Sequence, residues 1–181
     1  MKWMRHARAF ALLLAAVSAW WIIAAASAGT DLESRVPLGE FPRERIAVES
    51  GSIRRHLFEA WRAASPAARE QGLMFVEDRE MRPDQAMIFV YDPPQRVTMW
   101  MKNTLLPLDM LFVDSRGCIV TIRERAQPGS LAQIDSRMPV VLVVELRAGT
   151  VEQLAIKTGD RVVRVDKGWP RTSQGCTTQA R

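Results

Sequence analysis

The residues best equipped for chemistry cluster around "WMKNTLLPLDMLFVD", Trp100 to Asp114. Lys102, Asn103 and Asp109 sit between and beside two strongly apolar runs. Side chains alternate along a strand, so parity sorts the neighbours. Trp100 and Lys102 share one face, and Asp109 shares a face with Leu111 and Val113. Glu124 continues the face of Val120 and Ile122, and Glu145 that of Val141 and Val143. A carboxylate on an apolar face sits either at a wet strand end or in a paired, partly buried setting. Two readings follow. In one, Lys102 and Asp109 form a structural ion pair bracketing the loop "NTLLP", with Asn103 in an Asx-type turn. In the other, Trp100, Lys102, Asn103, Asp109, Glu124 and Glu145 line a ligand pocket, where Lys102 meets an anionic group. Strand register decides whether Lys102 and Asp109 share a face at all.

Other chemistries lack their residues. Of two histidines, His6 lies in the first 28 residues, leaving His56 alone. A histidine-rich zinc site is excluded, and Cys118 and Cys176 cannot build a thiolate site by themselves. A Ser-His-Asp triad lacks a nucleophile motif. There is no GxGxxG and no phosphate loop. No cofactor is expected: neither zinc, heme nor nucleotide. Met74, Met81, Met87, Met99, Met101, Met110 and Met138 are read as core filler rather than a Cu(I) site, since no M-x-x-M density with histidine accompanies them. Glycosidase-style chemistry would need a positioned carboxylate pair from Asp109, Glu124 and Glu145, without an aromatic platform for sugar.

The elements that must position these residues begin after an export signal. Residues 1–28 carry Lys2, Arg5 and Arg8, an uncharged apolar run from Phe10, and the small-x-small site Ala26-Ser27-Ala28. This reads as a signal peptide. The alternative is an uncleaved anchor, the one case in which a membrane is a partner. Cleavage lowers the formal charge from +5 to +2, because three bases leave and no acid does. Acids and bases are then interspersed without a basic stripe, so nucleic acid is not expected as a partner. Residues 29–44 read as a linker, 45–166 as one domain, and 167–181 as a loosely ordered tail. Export permits a Cys118–Cys176 disulfide, and the spacing leaves it open.

Within the domain, Ser65-Pro66 opens a short helix, "PAAREQ", that stops at Gly72. A second short helix is expected at "VEQLAI", 151–156. Strands are expected at 46–48, 53–64, 86–91, 96–101, 108–113, 118–124, 140–146 and 161–166. The runs 96–101 and 108–113 are read as a central pair, and Asp114-Ser115-Arg116-Gly117 as the turn of a hairpin. The fold class is α+β and β-rich: a compact antiparallel sheet curled toward a small barrel, with two short helices.

The blocks "QGLMF" (71–75), "AMIFVY" (86–91), "WMKNTLLPLDMLFVD" (100–114), "IRERAQP" (122–128), "VVELRAGT" (143–150) and "GDRV" (159–162) occur in the order found in domain-of-unknown-function family 192. The chain resembles that family over about residues 45–166. The resemblance implies a small β-rich bacterial or archaeal protein, often exported or anchored, with no established activity. The family often reads E-N-A-x-P where this chain has Glu124-Arg125-Ala126-Gln127-Pro128. Residues and resemblance together predict an exported envelope module that binds a small molecule or an envelope protein, in the periplasm or secreted. The alternatives are a hydrolase using Asp109 or Glu124 as acid/base, and a structural accessory domain.

Overall fold

The structure, a computed structural model, describes residues 36–51, 53–167 and Cys176. The chain divides into units 1–37 and 38–181, and the fold below is that of the second. The signal segment, most of the linker and most of the tail lie outside the described residues.

Among the described residues, nine strands and two short α-helices form in the order β1 Arg43–Ser50, β2 Arg54–Ala63, α1 Pro66–Gln71, β3 Gln85–Gln95, β4 Thr98–Met99, β5 Leu108–Val113, β6 Ile119–Ala126, β7 Ile134–Asp135, β8 Val140–Arg147, α2 Thr150–Leu154 and β9 Arg161–Arg164. Seven strands make one curled sheet in the order β6-β5-β8-β3-β2-β1-β9, and β4 with β7 makes a two-stranded ribbon. The expected β-rich curled sheet with two short helices is the observed one. One pairing departs from antiparallel: β2 and β3 run parallel. A parallel pair needs a crossover, and α1 lies in it. Ser65 starts that helix as expected, its Oγ accepting from the Ala68 N–H at 3.2 Å.

The expected central pair does not form. Strand β5 lies between β6 and β8, and of the run 96–101 only Thr98–Met99 is strand, paired to Ile134–Asp135. Apolar patterning predicts a strand over the whole run, and only two of its residues form one. Its neighbour, Ile134–Asp135, lies between the expected strands 118–124 and 140–146.

Each face of the curled sheet buries its own apolar cluster. One gathers Ile46, Val48, Ile88, Leu111, Val144, Ile119 and Val162, drawn from both ends of the strand order, and is therefore the inside of the curl. The other gathers Trp61, Met87, Phe89, Met110, Phe112 and Val143 under Leu73, Val76 and Met101. Met81, Met87, Met99, Met101 and Met110 are buried in this outer cluster, the gap-filling use of thioethers.

The two ends of the strand order meet. Ile119 N–H donates to the Asp160 carbonyl at 2.9 Å, and Val162 N–H to the Gly117 carbonyl at 2.8 Å. Asp160 adds its side chain, accepting from Ser50 Oγ at 2.6 Å and Lys157 N–H at 2.9 Å. Cys118, at this seam, is bonded to Cys176. The bridge spans 58 residues of sequence, and closing such a loop restricts the unfolded chain. Replacing both cysteines by serine is expected to lower stability by about 2–4 kcal/mol. Urea melts of the oxidised protein and the double variant check this, and reduced wild type should match the variant.

Candidate functional site

A cavity of about 210 Å³ opens on the outer face of the sheet. Its floor is Glu145 of β8, with Phe89 and Tyr91 of β3 beside it. One wall is the end of α1, where Arg69 and Gly72 face inward. The other is β4 and the following loop, which bring Met99, Trp100 and Lys102.

Local sequence explains each wall. Gly72 ends α1 at φ +47°, and a Cβ there would lie 2.9 Å from Phe89 Cζ. Only glycine lets the helix end press against the cavity's aromatic floor. Met101 to Thr104 form a tight turn, closed by Thr104 N–H donating to the Met101 carbonyl at 3.0 Å. Asn103 takes the left-handed conformation, φ +55°, which asparagine tolerates better than most residues. Its carbonyl accepts from Phe75 N–H at 2.8 Å, tying the mouth loop to the chain after α1.

Glu145 is the unusual group. It lies between Met87 of β3 and Met110 of β5, its direct cross-strand neighbours. It is only 4% exposed, and among the described residues neither donor nor cation bonds its carboxylate. Burial pushes its carboxyl up to about 8. Burial also raises the Tyr91 phenol to about 12, against the pull of Arg69. Tyr91 Oη points to Met99 Sδ at 3.7 Å. Two cation–π contacts flank the mouth: Arg69 lies 5.0 Å from the Tyr91 ring and Lys102 5.4 Å from the Trp100 ring. The site can present a proton or a negative charge at the bottom and positive charge at the rim.

The model of the uncharacterized family DUF192 matches residues 47–164. The chain belongs to domain-of-unknown-function family 192. A crystal structure from Sinorhizobium meliloti 1021, described as that of a candidate transcription regulator, is 48% identical, with TM-score 0.66, over 68% of this chain and 95% of that one. A protein of unknown function from Novosphingobium aromaticivorans DSM 12444 is 31% identical, with TM-score 0.67, over 72% of this chain and 91% of that one. No curated protein matches.

In this member of family 192, the expected site residues separate. Trp100, Lys102 and Glu145 meet at the cavity. Asn103 is exposed beside it and contributes its backbone to the turn. Asp109 is elsewhere, and the expected pairing with Lys102 is corrected: Asp109 lies in the sheet interior, fully buried, on the face of Leu111 and Val113. Its carboxylate accepts from Arg125 N–H and Val151 N–H, each at 2.9 Å. It thereby caps α2 and holds a bulge in β6 where Arg125 sits at φ +50°. That left-handed position suits the asparagine of the family pattern better than arginine. Glu124 is exposed on β6 and does not line the cavity.

Sequence reasoning missed Arg69, Gly72, Phe89 and Tyr91 as cavity residues. The one available signal was Tyr91, the chain's single tyrosine, set at the end of an apolar strand. Among the described residues, no group of three or more His, Cys, Asp and Glu side chains could hold a metal ion. No described helix is long and apolar enough to cross a membrane.

Proposed function

We propose that this protein is an exported small-ligand-binding module of the cell envelope, with Glu145 at the bottom of its site and Trp100 and Lys102 at the mouth. The carrying observation is Glu145: a carboxyl almost fully buried at the bottom of the cavity, without a partner among the described residues. An unpaired buried ionisable group is costly, and proteins keep one where a ligand or reaction uses it. The cavity is smaller than the roughly 300–1,000 Å³ of drug-sized sites, so the ligand is a small metabolite. Catalysis through Asp109 or Glu124 is less well supported. Both carboxylate oxygens of Asp109 are held by backbone N–H groups inside the sheet, and Glu124 stands outside the cavity. Export is supported by the Ala26-Ser27-Ala28 site and by a disulfide suited to an oxidising compartment.

Native mass spectrometry of protein recovered from its own envelope tests both parts. The chain is expected to begin at Gly29 and to carry a small-molecule adduct. Trp100→Ala, a change at an exposed mouth residue, is expected to lose most of that adduct. An intact Met1 would sink export with cleavage, and ligand-free wild type would sink the binding reading.

A further inference from the structure

Four charged side chains line the cavity, Glu145, Lys102, Arg69 and the exposed Glu70, and among the described residues none of them is in a salt bridge. Glu145 lies at the bottom, where burial alone acts on it. Lys102 faces the Trp100 ring. Arg69 gives one guanidinium nitrogen to the Ala64 and Val90 carbonyls and lays its face on Tyr91. Phe89, Met74 and Met99 add apolar surface beside the polar lining residues Gln71, Thr98 and Thr104. The complementary ligand carries an ammonium for Glu145, a carboxylate for Lys102 and Arg69, and an apolar side group for Phe89, Met74 and Met99.

We propose that the cavity takes a small zwitterion with an apolar side group, its ammonium seated on the Glu145 carboxylate and its carboxylate held at the mouth by Lys102 and Arg69. This rests on reading the cavity as a ligand site and adds the class of ligand. An ammonium at the bottom supplies the charge pair and hydrogen bonds that the carboxylate lacks, in a setting where both are strengthened by low dielectric. Mouth cations give the ligand direction: a plain amine leaves them unmet, and a plain acid leaves Glu145 unmet.

Seating the ammonium also moves a proton. The empty site keeps Glu145 protonated up to about pH 8, so a bound ammonium expels that proton to solvent. The other charged or titrating groups facing the site are Arg69 and Glu70 from α1, Tyr91 from β3, Lys102 from the mouth loop and Arg147 further along β8. Glu70 is exposed, Tyr91 titrates only near 12, and Arg147 is tied to Asp78 and the Met81 carbonyl. Affinity is therefore expected to rise about tenfold per pH unit below pH 8, through Glu145.

Calorimetry on the exported protein with its disulfide intact uses three probes with one apolar body: leucine, 3-methylbutylamine and 4-methylpentanoate. Leucine is expected to bind at least about tenfold tighter than either partial analogue. It should release a proton below pH 8, seen as buffer-dependent heat. Lys102→Met should bring leucine down to the level of the amine, and Glu145→Gln should remove both the proton release and the preference for an ammonium. Amine or acid binding as tightly as leucine overturns the zwitterion while leaving the cavity a ligand site. Silence from all three, and from the matched alanine and phenylalanine sets, also overturns it. The adduct on native protein then decides the cavity's role separately.

Discussion

Glu145→Gln is expected to make the protein more stable, and more so as pH rises. The folded protein holds the Glu145 proton up to about pH 8, whereas the unfolded chain loses it near the ordinary value of 4.5. Between those values the unfolded state binds fewer protons, so each rise in pH favours unfolding. The loss is about 1.4 kcal/mol per unit. It reaches about 3 kcal/mol at pH 7 and levels off above pH 8. Glutamine has nearly the same shape and no proton to lose at this position. Urea melts of the two proteins should therefore coincide near pH 4 and separate steadily to pH 8. Parallel curves would mean that the carboxylate finds a partner or water in solution, and the reading of Glu145 as an unmet charge would fall. A variant that gains stability while losing its ligand is the behaviour of a residue kept for function against the interest of the fold.

Legibility in the sequence followed how local each feature is. The hairpin of β5 and β6 was readable because its turn is self-contained. Asp114 Oδ1 accepts from the Arg116 and Cys118 N–H groups, each at 2.9 Å, and Gly117 takes φ +82°. Helix α1 was readable from Ser65-Pro66, and β8 from its β-branched run. Neighbours across the sheet were not. Parity correctly put Glu145 with Val143 and Asp109 with Leu111, but it relates residues within a strand, not faces between strands. Once β5 lies beside β8, Val143 and Leu111 point to opposite sides of the sheet, and the two acids separate. The question of register between positions 102 and 109 rested on a strand pair that does not exist. The cavity was hidden for a related reason. Its walls come from α1, β3, β4 and β8, elements far apart in the chain, and Gly72 reads locally as a helix stop with no hint of Phe89 behind it.

The geometry of Asp109 makes its expected effect as large as that of Glu145 and opposite in sign. Two backbone N–H groups converge on its carboxylate: Val151 in the first turn of α2 and Arg125 in the β6 bulge. The Val151 N–H has no water to turn to, because Asp109 has no exposed surface and Val151 is 3% exposed, whereas Arg125 lies on the exposed side of the bulge. Asparagine can accept only one of the two bonds and brings an N–H₂ against the other donor. Alanine accepts neither. Leaving such groups unmet is expected to reduce stability by about 3–5 kcal/mol for Asp109→Ala, with Asp109→Asn close behind. Lys102→Met, at an exposed side chain, should change stability by about 0–1 kcal/mol. A double-mutant cycle between the two positions should give a coupling near zero, since they share no partner. Hydrogen exchange adds a local readout: in Asp109→Asn the amides of Arg125 and Val151 should lose protection before the rest of the sheet. A coupling above about 1 kcal/mol would restore the ion pair between Lys102 and Asp109. It would also move the site from the outer face of the sheet to its inside, and Glu145 would no longer be its centre. A near-zero coupling with selective loss of protection leaves Asp109 as the pin that joins α2 to the β6 bulge, and leaves Lys102 available at the mouth above Glu145.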